Sequence, residues 1–227
     1  EGEGCWIVDV DGDRRLDLLN NYTALIHGHA HPAVTEAATR RLARGSAFPL
    51  PTAEEIDLAA LIVDRLDGVD QVRFANSGSE AVMMAIKAAR GFTGRPKIAK
   101  FEGAYHGSYD WAEVSLGSGP DEWGPLEAPA SIPYSKGTPA SVLEDVVVLP
   151  FNRTELAVAR IEREAKNLAA VLIDPMPNRV GLIPARADFL RAIREVTAAH
   201  GICLIFDEVI SFRLGYRGAQ GVFGIRP

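Results

Sequence analysis

From Gln71 onward the chain alternates short apolar runs with segments of helical spacing, and the last run, Ile202-Cys203-Leu204-Ile205-Phe206, contains no polar position. A strand with one wet face shows a period of two; a continuous apolar run is that of a strand covered on both faces. The βαβα order implies an α/β layered domain with a largely parallel sheet. Predicted strands are Val72–Ala75, Lys97–Phe101, Val146–Leu149, Ala169–Ile173 and Ile202–Phe206. Predicted helices are Glu80–Arg90, Thr154–Lys166 capped by Thr154, and one that starts at Asp188 and ends at Gly201. Ligands of such sheets bind beyond the carboxyl ends of the strands, so the residues after Ala75, Phe101, Ile173 and Phe206 are the ones to read for chemistry.

Upstream, Trp6–Val10 and Arg15–Leu18 flank Asp11-Gly12, a strong hairpin signal. Val34–Leu42 has helical spacing and stops near Gly45, and Thr52-Ala53-Glu54-Glu55 forms a capping box before an apolar face of Ile56, Ala59, Ala60, Val63 and Leu66. An N-terminal segment 1–50 and a layered domain 51–227 are therefore expected. Residues 103–144 form the one long irregular stretch, a length that marks a functional or mobile loop. Hydrophobic residues make up 47% of the 227, ample for a core, and the net charge of −6 argues against nucleic acid as a partner. No run of apolar residues is long enough to span a membrane. The start Glu1-Gly2-Glu3-Gly4 lacks a basic n-region, and the two cysteines, Cys5 and Cys203, form no C-x-x-C pair. A cytoplasmic setting is the expectation.

Each strand end carries a distinct group. Asn76-Ser77-Gly78-Ser79-Glu80 runs from the first strand into a helix, where small residues let backbone N–H groups and the helix dipole meet an anion; Asn76 or Ser77 acting only as a helix cap is the plainer alternative. Glu102-Gly103-Ala104-Tyr105-His106-Gly107 follows the next strand and offers an aromatic ring and an imidazole to a flat ligand, or else forms a turn with a half-buried tyrosine. Asp207-Glu208-Val209 follows the last strand. A carboxylate there must be paired, metal-bound or functional, and Asp207 with Val209 on one face suits a flat heterocyclic cation.

Together these three segments resemble the class III pyridoxal-phosphate aminotransferases, and most nearly the glutamate-1-semialdehyde aminomutase branch. Gly28-His29-Ala30-His31-Pro32, Ala89–Arg95 and Gly218-Ala219-Gln220-Gly221 support the resemblance, which runs in order from Gly12 to Pro227. It implies the fold type I of pyridoxal-phosphate enzymes: a large domain with a mostly parallel mixed sheet and helices on both faces. It also implies pyridoxal 5′-phosphate as cofactor, small-molecule amino donors and acceptors, and a homodimer. In this resemblance Ser77, Gly78 and Ser79 hold the phosphate, and Tyr105 lies against the pyridine ring with His106 beside it. Asp207 pairs with the pyridinium nitrogen, and Val209 packs on the opposite ring face. Asn178 is expected to contact the cofactor, and Arg179 and Tyr22 the substrate.

The family's imine-forming lysine is expected seven or eight positions past Pro227 by the family's spacing, and none of the five lysines (Lys87, Lys97, Lys100, Lys136, Lys166) stands in for it. The chain thus reads as an N-terminal segment plus an incomplete cofactor-binding large domain, with the C-terminal small domain absent. Amino-group transfer on an amino acid or amino ketone is the expected reaction. Alternatives are intramolecular transfer by an aminomutase, β-amino-acid transamination, and a non-catalytic cofactor-binding chain. Tyr22-Thr23-Ala24 and Ser211-Phe212-Arg213-Leu214 are more similar to the β-amino-acid enzymes. The alternating His27, His29 and His31 lack a carboxylate or cysteine at ligand spacing, so a structural turn and no metal are expected.

Overall fold

A computed structural model describes residues 1–227, which divide into two units, Glu1–Leu58 and Ala59–Pro227. The first is built on a three-stranded antiparallel sheet of β1 (Gly2–Glu3), β2 (Trp6–Val8) and β3 (Arg14–Leu16), in which Trp6 faces Leu16 and Val8 faces Arg14. The hairpin is shorter than the sequence suggests, because the Asp9 carboxylate accepts the N–H groups of Asp11 and Asp13 and so turns the chain over five residues rather than two. Next comes a single turn, α1 (Asn20–Thr23), whose four residues all have positive φ, and then α2 (Pro32–Leu42). The reciprocal capping box is present: Glu55 N–H donates to Thr52 Oγ1 and Thr52 N–H to Glu55 Oε2, at the start of α3 (Ala53–Arg65).

The second unit contains α4 (Gly78–Thr93), β4 (Lys97–Phe101), α5 (Asp110–Glu113), α6 (Ala140–Asp145), β5 (Val146–Leu149), α7 (Thr154–Glu164), β6 (Leu168–Ile173), α8 (Ala187–Ala199), β7 (Cys203–Phe206) and α9 (Gly218–Phe223). All four strands are parallel, in the order β5-β4-β6-β7. Alternate residues feed two cores, as the continuous apolar runs require. Ala99, Phe101, Val147, Leu149, Val171 and Ile173 pack with Ala157 and Ile161 of α7 and with Phe189, Leu190 and Ile193 of α8. Ile98, Val146, Val148, Ala170 and Leu172 pack on the other face with Val82, Ile86 and Ala89 of α4 and Val142 of α6.

Three expectations change. Val72–Ala75 is not a strand: the ladder ends at β5 and β7, and no neighbour takes up its backbone groups. Thr154 opens α7 without capping it, and its buried hydroxyl has no partner. The stretch 103–144 is not wholly irregular, since α5 and α6 lie within it and Ser115 bonds through both backbone and hydroxyl to Ala130 and Ile132. No helix is long and apolar enough to cross a membrane.

Candidate active site at the carboxyl ends of β4, β6 and β7

Parallel strands bring their carboxyl ends to one edge, and the second unit's polar groups collect there. Asp207 N–H continues the ladder by donating to Ile173 O at 2.8 Å, which fixes the backbone just beyond β7. Its side chain is buried against His106: Nδ1 donates to Oδ2 at 2.7 Å, while Oδ1 accepts Val209 N–H at 3.1 Å. His106 is fully enclosed, and burial, opposed by Asp207, lowers the pKa of its ring. With Nδ1–H committed to the carboxylate, the neutral ring keeps its lone pair on Nε2, which is buried without a partner.

The start of α4 stands next to this pair. Ser77 is the cap, its hydroxyl accepting Glu80 N–H at 3.2 Å, while Glu80 reaches back to Asn76 N–H at 2.6 Å. The capping alternative therefore holds for the Ser77 hydroxyl. The first N–H groups of a helix have no intrahelical acceptor, so those of Gly78 and Ser79 remain for an anion. Ser79 Oγ accepts Ser108 N–H at 2.9 Å and keeps its own hydrogen to donate. Gly107, at φ +86°, lies so close to Ser79 that a Cβ there would fall 2.4 Å from Oγ. Val209 Cγ2 lies 3.5 Å from the place a Cβ on Gly78 would take. Val209 and Tyr105 are exposed, at 63% and 42%, beside these buried groups.

The turn Asn178–Val180 also approaches, since Val180 lies against Gly103, where a Cβ would be 2.6 Å from it. Asn178 and Arg179 on that turn are exposed. Tyr22 belongs to the N-terminal unit, where it is exposed on the left-handed turn α1. His29 pairs with Asp17 at 2.7 Å, and the rings of His27 and His31 lie 5.2 Å apart.

Four residues went unassigned at the sequence level. Asp174, just beyond β6, has its carboxyl pushed up to about 6, chiefly by burial and further by the charge of Asp207. Glu102, beyond β4, is raised by burial while accepting the Ser118 hydroxyl at 2.6 Å. Lys100 is wholly buried, although the alternation from Ile98 already placed it on a covered face. Glu208 accepts Ala219 N–H at 2.6 Å and the Gln220 amide at 3.1 Å, anchoring α9. Of the other lysines, Lys87, Lys136 and Lys166 are exposed and Lys97 pairs with Glu164 at 3.3 Å. A cavity of about 430 Å³ lies elsewhere, among Asp67, Arg217, Gln220 and Arg226.

Chemically, this edge offers N–H donors and a helix dipole to an anion. It also offers a carboxylate steadied by a buried imidazole to a cationic ring N–H, and exposed side chains to the faces of a flat ring. Several known proteins are similar to this chain. The aminotransferase class-III profile matches residues 1–223. Glutamate-1-semialdehyde 2,1-aminomutase 2 of Lysinibacillus sphaericus is 43% identical over all of this chain and 51% of its own. An omega-transaminase from Sphaerobacter thermophilus superposes with a TM-score of 0.96 at 57% identity, covering 100% of this chain and 51% of that one. A beta-phenylalanine aminotransferase from Variovorax paradoxus gives 0.85 at 37% identity, covering 100% and 48%. The chain thus spans about half the length of the relatives it matches. The ordered strand-end groups and the match over nearly every residue agree, and the chain belongs to the class-III aminotransferases.

Proposed function

We propose that the protein binds pyridoxal 5′-phosphate at this edge and transfers amino groups between small-molecule donors and acceptors. The observation that supports this most is the buried His106–Asp207 pair beside the free N–H groups of α4. The donor set fits the cofactor: Gly78 and Ser79 for the phosphate, Asp207 for the ring nitrogen, and Tyr105 and Val209 for the ring faces, with Asn178 at the rim. When bound, the cofactor supplies an electron sink for carbon–hydrogen cleavage next to the amine. This chain's residues do the rest. Asp207 holds a proton at the ring nitrogen. His106 keeps that carboxylate in place, and its unpartnered Nε2 offers no competing proton. Arg179, with its planar fork, would bind a substrate carboxylate, and Tyr22 would contact the substrate.

Transfer between two substrates is favoured over intramolecular transfer. The omega-transaminase is 57% identical, against 43% for the aminomutase, and the Tyr22-Thr23-Ala24 run points the same way. A homodimer in the cytoplasm completes the reading. The test is an amino-transfer assay on the intact protein with a β-amino acid or with glutamate-1-semialdehyde, with and without an α-keto acid. Turnover of the β-amino acid only when the acceptor is present is expected. Conversion of the semialdehyde with no acceptor would overturn the intermolecular reading.

A further inference from the structure

Lys100 stands where the sheet calls for a hydrocarbon. It lies on the central strand β4, on the face packed against α4, with Val148 of β5 and Leu172 of β6 as its register partners, and all three are fully buried. An ammonium at such a place pays a large desolvation penalty, and burial pushes Lys100 down to about 7, opposed by Glu102. A leucine or methionine would fill the position without that penalty. What Lys100 adds is hydrogen bonding. Its Nζ donates closely to Val114 O at 2.6 Å and at longer range to Phe101 O at 3.4 Å.

Those carbonyls mark the two ends of one excursion. The chain leaves the sheet at Phe101, passes through Tyr105, His106 and Gly107, turns through α5, and comes back at Val114. Close by, Gly103 N–H donates to Ser115 O and Ser115 N–H to Ile132 O, each at 2.8 Å. We propose that Lys100 is a positioning residue that ties the ends of the 101–114 segment together from beneath the sheet edge, and so seats His106 on Asp207 and Gly107 on Ser79. The functional part of this inference rests on the cofactor reading above.

The test compares Lys100→Met, which keeps volume without the donor, with Lys100→Gln, which keeps a neutral donor. In the intact protein, amide hydrogen exchange is measured at Gly103, Ser108 and Ser115, with the amides of β6 as internal reference, beside titration with pyridoxal phosphate. In the methionine variant, exchange at the three amides should rise roughly ten- to a hundredfold, the loss of a bond from a charged donor, while β6 stays as in the wild type. Cofactor affinity should fall with it, and glutamine should restore part of both. Wild-type exchange at the three amides in the methionine variant would overturn the proposal, as would acceleration of β6 in the same proportion. If the methionine variant does not fold, the glutamine variant carries the same comparison, with intermediate exchange expected and wild-type exchange contradicting. A wild-type protein that binds no pyridoxal phosphate would refute the cofactor reading, while the exchange result would still decide the role of Lys100.

Discussion

Asp174 and Asp207 leave neighbouring parallel strands one residue past their ends, and their charges oppose each other in a poorly hydrated place. Burial, with the charge of Asp207, pushes the Asp174 carboxyl up to about 6 from 3.8. On raising the pH the unfolded chain releases that proton first. Between these two values the folded state binds more protons, so its stability falls as the pH rises, and the deficit persists above. Asp174→Asn keeps an acceptor for Met176 N–H, now at 2.8 Å, and removes the charge. Near neutral pH and above, the variant should melt higher than wild type, by about 2–4 °C for each kcal/mol recovered, and the two should converge in acid. Melting curves that run parallel at every pH would contradict this. At this scale the sequence marked Asp207 as paired, metal-bound or functional, and the structure pairs it with His106. The sequence said little about Asp174, whose displacement comes chiefly from burial and further from the charge of Asp207 on the next strand.

At the scale of elements, the site is a junction between a helix start and a loop. Gly107 makes the junction close enough, and two glycines separate its roles. Gly94 and Gly107 both have positive φ, +69° and +86°, so alanine strains either backbone. At Gly94 nothing lies within 4 Å of the added Cβ, whereas at Gly107 it would meet Ser79 Cα at 2.6 Å. Gly107→Ala should therefore lose roughly a further 1–3 kcal/mol of stability and weaken pyridoxal-phosphate binding. Gly94→Ala should leave binding unchanged. Equal binding in the two variants, measured by cofactor titration, would contradict the junction. The order of strands, helices and glycine-rich turns was legible from periodicity alone. The Val72–Ala75 segment was not, because its β pattern needs a hydrogen-bonding neighbour that periodicity cannot supply. In the sequence Lys100 reads only as flanking a strand, and its burial follows once both faces of that strand are known to be covered.

For the molecule as a whole, apolar burial is concentrated around the parallel sheet. The parallel sheet fills two cores, while α2 and α3 bury no residue, and Val34, Leu42, Ile56, Leu61 and Val63 stand exposed. Exposed apolar faces of this kind mark interaction sites. With the proposed homodimer, sedimentation equilibrium should give twice the subunit mass at micromolar concentration; a monomer there would remove the dimer from the account. Within each subunit, the proposed role of Asp207, steadied by His106, is to hold a proton on the cofactor's ring nitrogen. Pyridoxal phosphate labelled with nitrogen-15 in the ring, bound to the intact protein, tests it most directly. A nitrogen resonance in the protonated range for the wild type, moving to the unprotonated range in Asp207→Asn, is the expected result. An unprotonated ring nitrogen in the wild type, or one that Asp207→Asn leaves unchanged, would contradict it.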